Sequence, residues 1–237
     1  MCLIGHGAFG IITKSVWCNY LAVVGISQEE AYQLMPIIGA VDIAMGLSLL
    51  LYPTKAVLGW LVFWGFTTAA MRPLSGEPFA ELLERAGNFG APLALLMLFP
   101  STKFFTGWFK RLQAPDVVSR ENLEKVVIML RVIASLFFIG HGLLNLYGKK
   151  GLLNQYQALG FHNPIIVSYI VGTIEVAAGG LFLILRPLTP FVLFFLIWKM
   201  GTELFYPQWE IFEWIERGGS YGVLLALLFI NIREGRK

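Results

Sequence analysis

Ten residues of this chain could do chemistry, because each places a titratable group within or beside an apolar stretch. They are His6, Asp42, Glu84, Arg85, His141, Glu175, Lys199, Glu203, Glu216 and Arg217. An ionisable group is costly in an apolar medium, so its position there points to function. Histidine beside a carboxylate suits proton handling and hydrogen bonding to a carbonyl. Lys199 and Glu203 are four residues apart, which puts both on one face of a helix and lets them pair. Each residue type also has a plainer reading. Glu84-Arg85 and Glu216-Arg217 could cap and anchor the helices they precede. The histidines could bond a backbone carbonyl while their glycine neighbours admit a close helix contact. The Lys199/Glu203 pair is the hardest to explain this way, since a buried ion pair is weak evidence of stabilisation.

The elements that carry these residues are strongly apolar. The chain has 237 residues, of which 57% are hydrophobic and 14% charged. Its mean hydropathy is +0.68. An ordinary soluble domain has about 25% charged residues. Disorder is excluded by the abundance of Leu, Ile, Val and Phe. The formal net charge is +3, with the basic residues scattered, which is no nucleic-acid footprint. The fold class expected is all-α, a polytopic integral membrane protein in a lipid bilayer. The long apolar runs lack the alternation of barrel strands. Cys2 and Cys18 form no CxxC, and on a shared helix they would lie too far apart to bridge.

The sequence matches itself. Ile4-Gly5-His6-Gly7 recurs as Ile139-Gly140-His141-Gly142, and the match runs on without a gap through Lys14/Lys149, Asn19/Asn154 and Gly25/Gly160. Gly39, Asp42 and Gly46 then match Gly172, Glu175 and Gly179. Trp64, Thr68 and Pro73 match Trp198, Thr202 and Pro207. Glu84-Arg85 matches Glu216-Arg217, and both copies run into Leu-Ala-Leu-Leu. Such ordered matches indicate two copies of one module. The expected organisation is a first repeat at 1–103, a basic linker at 104–125 and a second repeat at 126–237. Each repeat holds four transmembrane helices, about eight in all. They are expected near 1–14, 34–52, 55–71 and 87–100, then 126–147, 164–185, 188–206 and 219–232. The first is short, because Met1 aligns with Leu136, and a start upstream of Met1 is expected.

An even number of helices per copy gives both copies the same orientation. Lys55, Lys103, Lys110, Arg111, Arg120, Lys125, Arg186, Arg233, Arg236 and Lys237 fall on one side. By the positive-inside rule that side is the cytoplasm, so both termini are cytoplasmic. The ten candidate residues then lie in the outer half, and the inner half is almost wholly apolar, with Arg131 near its edge. This gradient predicts a polar pocket in each copy, open to the outside, rather than a conducting path. The copies differ: Lys199 and Glu203 stand where the first has Gly65 and Ala69, and Arg72 stands where the second has Tyr206. The second pocket is the more charged and the one expected to retain chemistry. Segments 77–85 and 208–217 mix Glu with aromatic residues, including Trp209, Glu210 and Trp214, and predict short interfacial helices.

These residues resemble the DoxX-like families of bacterial four-helix membrane proteins (DoxX, DoxD and MauE). The second copy carries the outline as Arg131, Gly140-His141-Gly142, Lys149 and Glu216, and the first as Gly5-His6-Gly7, Lys14 and Glu84. The resemblance implies a bacterial inner-membrane protein tied to electron transfer, with quinone or thiol redox chemistry, and does not fix enzymatic activity. The leading reading is a redox-associated subunit that binds a quinone or a small sulfur compound in the outer pocket. Electrons would come from a redox partner protein, because the chain shows no redox centre of its own. The alternative is a non-enzymatic binder, transporter component or assembly factor for a lipid, solute or partner protein. No cofactor is firmly predicted, and quinone is the first candidate. A b-type haem between His6 and His141 is the lesser alternative. A metal site is not expected, since only His162 and two cysteines remain as further ligands.

Overall fold

Helix boundaries follow from local signals at the ends of the apolar runs. The computed structural model describes residues 1–99, 105–113, 118–186, 188–205 and 211–234. The expectations above on Lys103, Tyr206, Pro207, Trp209, Glu210, Arg236 and Lys237 lie outside these residues. Among the described residues the chain is helical, with a 3-10 turn at Phe105–Phe109 and one isolated bridge between Thr54 and Arg111.

The first half comprises α1 (Cys2–Ile11), α2 (Trp17–Ala22), α3 (Gln28–Leu51), α4 (Lys55–Leu74), α5 (Ala80–Glu84) and α6 (Ala86–Leu96). The second comprises α7 (Arg120–Leu146), α8 (Lys150–Ala158), α9 (Pro164–Ile184), α10 (Thr189–Leu204), α11 (Ile211–Glu216) and α12 (Gly218–Glu234). Ser27 opens α3 with a reciprocal capping box to Glu30. Thr54, Ser119 and Asn163 cap α4, α7 and α9 by accepting from the third residue onward. Pro164 at the start of α9 needs no amide donor there.

Among the described residues three helices, α3, α7 and α9, are long and apolar enough to cross a bilayer. The sequence predicts about eight spans. Of the other expected spans α4 has 20 residues, whereas α1 has 10, α6 has 11, α12 has 17 and α10 has 16. A straight crossing takes about 20. Two short helices, α2 and α8, lie in segments read as loops. They place Cys2 and Cys18 on separate helices, and both thiols are free.

Two kinds of contact organise the bundle. Within each half the first helix lies against the second long helix at paired glycines. A Cβ on Gly7 would come within 2.6 Å of the Gly39 carbonyl, and one on Gly142 within 2.8 Å of the Gly172 carbonyl. Such small-residue notches let backbones approach closely. Between halves, α11 packs on α1 and α5 packs on α7. A Cβ on Gly5 would meet the Glu216 amide at 2.5 Å, and one on Gly140 would clash with the Glu84 amide. The helices α6 and α12 cross at Gly87 and Gly219, where a Cβ would strike backbone of the opposite helix.

α5 and α11 are the short helices expected from 77–85 and 208–217; Phe79, Ile211 and Phe212 are exposed there, while the acidic residues turn inward. Glu81, Glu84, Glu213 and Glu216 are buried. The Trp214 indole donates to the Met200 carbonyl at 3.0 Å, an internal contact rather than a bilayer-facing anchor. The reason is the glycine notch that each helix enters, which draws its acidic face into the bundle.

Gly140→Ala should therefore destabilise the fold, since its obstacles are backbone atoms that cannot rotate away. The expected loss is about 1–3 kcal/mol in detergent unfolding followed by tryptophan fluorescence. Gly180→Ala, which meets nothing within 4 Å, should be neutral or slightly stabilising. Equal stability of the two variants would contradict the notch.

Candidate functional site

The candidate residues converge at the end of the bundle where α1, α4, α7 and α10 finish and α3, α6, α9 and α12 begin. In each half a histidine from the first helix meets the acid of the second long helix across the glycine notch. His6 Nδ1 lies 2.6 Å from Asp42 Oδ2, and His141 Nδ1 lies 2.6 Å from Glu175 Oε2. Neither histidine bonds a backbone carbonyl through that nitrogen.

The second half surrounds its pair with a closed polar shell. Trp198 Nε1 donates to Glu175 Oε1 at 3.0 Å, and Asn145 Nδ2 donates to Glu175 Oε2 at 3.4 Å. The Tyr156 hydroxyl donates to Asn145 Oδ1 at 2.6 Å, and Ser168 Oγ donates to the Asn145 carbonyl at 2.7 Å. Lys199 pairs with Glu203 on one face of α10, as their spacing predicts. His141 Nε2 is 4.0 Å from Glu203 Oε1. Both ring nitrogens of this histidine therefore face carboxylates.

A chain of buried ion pairs links the halves. Arg217 Nη1 is 2.7 Å from Glu84 Oε1 of the first half, and Arg217 Nε is 3.6 Å from Glu203 Oε2. Arg85 Nη1 holds Glu84 Oε2 at 2.8 Å and Glu81 Oε2 at 2.7 Å. Lys149 Nζ reaches across to Glu81 Oε1 at 2.7 Å. In the matching position Lys14 reaches across to Glu213. Arg72 adds contacts to Glu77 at 3.3 Å and Glu81 at 3.6 Å, and the Tyr20 hydroxyl donates to Glu77 Oε1 at 2.6 Å.

This network sets its own protonation. Burial opposes the ionised form of Glu81, yet Arg85, Lys149 and Arg72 hold its carboxyl below the usual value. Burial likewise opposes ionisation of Glu84, and Arg217, Arg85 and Lys149 hold it well below that value. Glu216 is also held low against its burial, by His6, Arg217, Arg85 and Arg72. Donor atoms of Glu84, His141 and Glu203 lie within 4.8 Å of one another, close enough to hold a metal ion. Arg85, Arg217 and Lys199 already neutralise those two carboxylates, so a further cation would meet repulsion.

Beside the network, in the first half, lies a cavity of about 640 Å³. Its walls include Leu3, Leu49, Leu58, Leu61, Ala91 and Leu95. Its polar end is formed by His6, Tyr20, Trp64, Arg72, Arg85 and Glu216. Thus His6, Arg85 and Glu216 of the ten candidates line it, whereas His141, Glu175, Lys199 and Glu203 do not. The lining includes the first three residues, Met1, Cys2 and Leu3, and the halves also differ at aligned positions. Where the first half has Leu3, Leu49 and Leu61, the second has Phe138, Phe182 and Phe195. Those rings fill the space, with Phe138 stacked on Phe182 at 5.5 Å and edge-on to Phe195 at 5.2 Å. The His6 side chain is accordingly 15% exposed, against 5% for His141. His6 is further held by the Trp17 ring, whose centroid is 4.5 Å away.

Sequence reasoning did not single out Glu81, Glu213, Lys14, Lys149, Asn145 or Trp64 as site residues. Lys14 and Lys149 carry a readable signal, because they fall in register behind the two His-Gly motifs. Their pairing with Glu213 and Glu81 joins opposite halves, which spacing along the chain does not disclose.

The fold and this site define a helical membrane protein with a buried polar cluster. Within that class, the DoxX family model matches residues 126–205, the segment from α7 through α10. The chain is DoxX-like over that third of its length. Neither a curated protein nor a solved structure matches it.

The depressed carboxyls give stability a defined pH dependence. Their contribution is fully present above the ordinary carboxylate value of 4.5 and is lost as pH falls through their lower folded values. The detergent unfolding temperature should stay level from pH 7 to about 5 and drop steeply below about 4. Glu81→Gln should lower the plateau and flatten the drop. A variant that titrates like the parent would exclude Glu81 from the linkage.

Proposed function

We propose that the chain is a fused pair of DoxX-like modules, at 1–103 and 126–237, joined by the basic linker 104–125. We propose further that the first module binds a quinone-class ligand in its cavity as part of a redox-associated membrane complex. The duplication is supported by contacts that occur twice: His6–Asp42 with His141–Glu175, Lys14–Glu213 with Lys149–Glu81, and the Gly5 notch with the Gly140 notch. The positive-inside distribution supports a bacterial inner-membrane protein with both termini cytoplasmic. The polar end of the cavity then lies in the outer half.

The observation that carries the ligand reading is the shape of the cavity: long apolar walls with a cluster of hydrogen-bonding groups at one end. Pockets for small molecules are typically built this way. Exposed Val24 and Leu50 are part of the lining, so the space reaches the outer envelope of the bundle, where a lipid-soluble ligand could enter. A small sulfur oxyanion would engage only the polar end and leave most of 640 Å³ empty. A quinone head with an isoprenoid tail suits both ends.

A bound quinone supplies two-electron, two-proton chemistry, with electrons exchanged with a partner redox protein. The chain supplies binding and proton handling. Asp42 orients His6 through Nδ1, leaving Nε2 to hydrogen-bond a ring oxygen. Glu216, buried at the same end, offers a carboxylate to receive a proton. The leucine walls keep bulk water from the head group. In this reading the second module is a packed scaffold whose ion pairs hold the first in shape.

The test is equilibrium binding of a short-chain ubiquinone analogue to purified protein in detergent, read by quenching of tryptophan fluorescence. Saturable binding is expected. His6→Ala should weaken it about tenfold or more, the cost of losing a charge-assisted hydrogen bond. His141→Ala should leave it within about twofold on the same scale. Loss of binding in His141→Ala with none in His6→Ala would refute the assignment to the first module. Co-purified phospholipid that the quinone analogue does not displace would favour a lipid-binding role.

A further inference from the structure

The end of the bundle opposite the polar cluster has a surface of its own. The 3-10 turn Phe105–Phe109 comes after α6 and packs on α4 near the junction of α3 and α4. Three contacts pin this segment. The Leu112 amide donates to the Pro53 carbonyl at 2.7 Å, Arg111 pairs antiparallel with Thr54, and the Trp108 ring lies on Gly59 of α4. A Cβ on Gly59 would stand 3.1 Å from that ring, so the missing side chain makes room for the indole.

The pinned segment presents rings and cations together. Tyr52, Trp108 and Phe109 are exposed large side chains. Lys110 and Arg111 are exposed beside them. The Arg111 guanidinium lies 5.8 Å from the centroid of the Tyr52 ring, within cation–π range. From Phe99 to Pro115 the sequence has no acidic residue. Among the described residues no carboxylate pairs with Lys110 or Arg111. The next cations along the chain differ. Arg120 is paired with Glu124 at 3.1 Å, and Lys125 with Glu121 at 2.6 Å.

Trp and Tyr favour the level of the bilayer headgroups, and Lys and Arg attract phosphate there. On the charge distribution this end faces the cytoplasmic leaflet, whose anionic lipids carry such phosphates. A water-soluble anion would answer the cations and leave the rings in water. A phospholipid answers both, with phosphate on the cations and glycerol and upper chains on the rings.

We propose that Tyr52, Trp108, Phe109, Lys110 and Arg111 form a seat for the headgroup of an anionic phospholipid, built on the turn between α3 and α4. The linker is then a lipid-binding element as well as a connection between the halves. This seat is separate from the cavity and does not depend on the quinone-class reading.

The test is native mass spectrometry of the full chain in detergent, with phosphatidylglycerol and phosphatidylethanolamine supplied in equal amounts. The parent should retain phosphatidylglycerol in preference by about tenfold, since each Lys or Arg near an anionic surface favours it several-fold. Lys110→Ala combined with Arg111→Ala should lose most of that preference. Both side chains are exposed, and the contacts of Arg111 and Leu112 that pin the segment are main-chain, so the fold should be kept. Arg120→Ala combined with Lys125→Ala removes the same charge from cations that are already paired, and should leave the preference intact. Excess sn-glycerol 3-phosphate should not displace the lipid. Equal loss in the two double variants would show diffuse attraction to a basic surface and overturn the seat. Retention of the preference without Lys110 and Arg111, or its absence in the parent, would overturn it too. Displacement by glycerol phosphate would replace the lipid seat with a site for soluble phosphate.

Discussion

Charge buried in an apolar bundle must be neutralised nearby, and in this protein much of the neutralising charge comes from the opposite half of the chain. Lys149 of the second half answers Glu81 of the first, and Lys14 of the first answers Glu213 of the second. Arg217 of the second half contacts Glu84 of the first while also approaching Glu203. Removing one member of such a set leaves a buried charge exposed to a low-dielectric interior, which is far costlier than never having placed it there. The crossed arrangement thus ties the register of the two halves together. It depends in turn on Gly5 and Gly140, whose missing side chains admit the backbones of α11 and α5.

Within this shared frame the halves have taken different interiors. The second is filled: phenyl rings occupy its volume, an internal Lys199–Glu203 pair occupies its polar end, and both Glu175 oxygens accept hydrogen bonds. The first has smaller residues at aligned positions, Leu3, Leu49, Leu61 and Gly65 among them, and these line the cavity. The greater exposure of His6 than of His141 is a direct consequence.

Much of the fold is legible in the sequence. Caps and prolines mark the helix ends at Ser27, Thr54, Ser119 and Pro164, and the spacing of Lys199 and Glu203 puts them on one face. The repeated His-Gly and acidic positions point to the two His–carboxylate pairs, because residues that recur in the same order occupy like places. Other features were not legible. The short helices α2 and α8 read as loops because their composition is mixed. The acidic faces of α5 and α11 read as interfacial, since only the glycine notches on the far side of the chain show that they are buried. The charge count favoured the second half as the chemical one. Counting charges does not reveal that those charges satisfy each other, nor that small residues elsewhere leave a space.

The central claim is that the ligand space lies among the helices of the first half, with Glu216 of α11 at its edge, and apart from the polar shell around Glu175. A photoreactive, lipid-soluble quinone analogue, cross-linked to the protein in membranes and mapped by peptide mass spectrometry, tests it most directly. Labels confined to α1, α2, α3, α4, α6 and the α11–α12 junction at Glu216, and competed by unlabelled quinone, are the expected result. Competed labels on α7, α9 and α10 around Glu175 and Lys199 would contradict the account and return the chemistry to the more highly charged half.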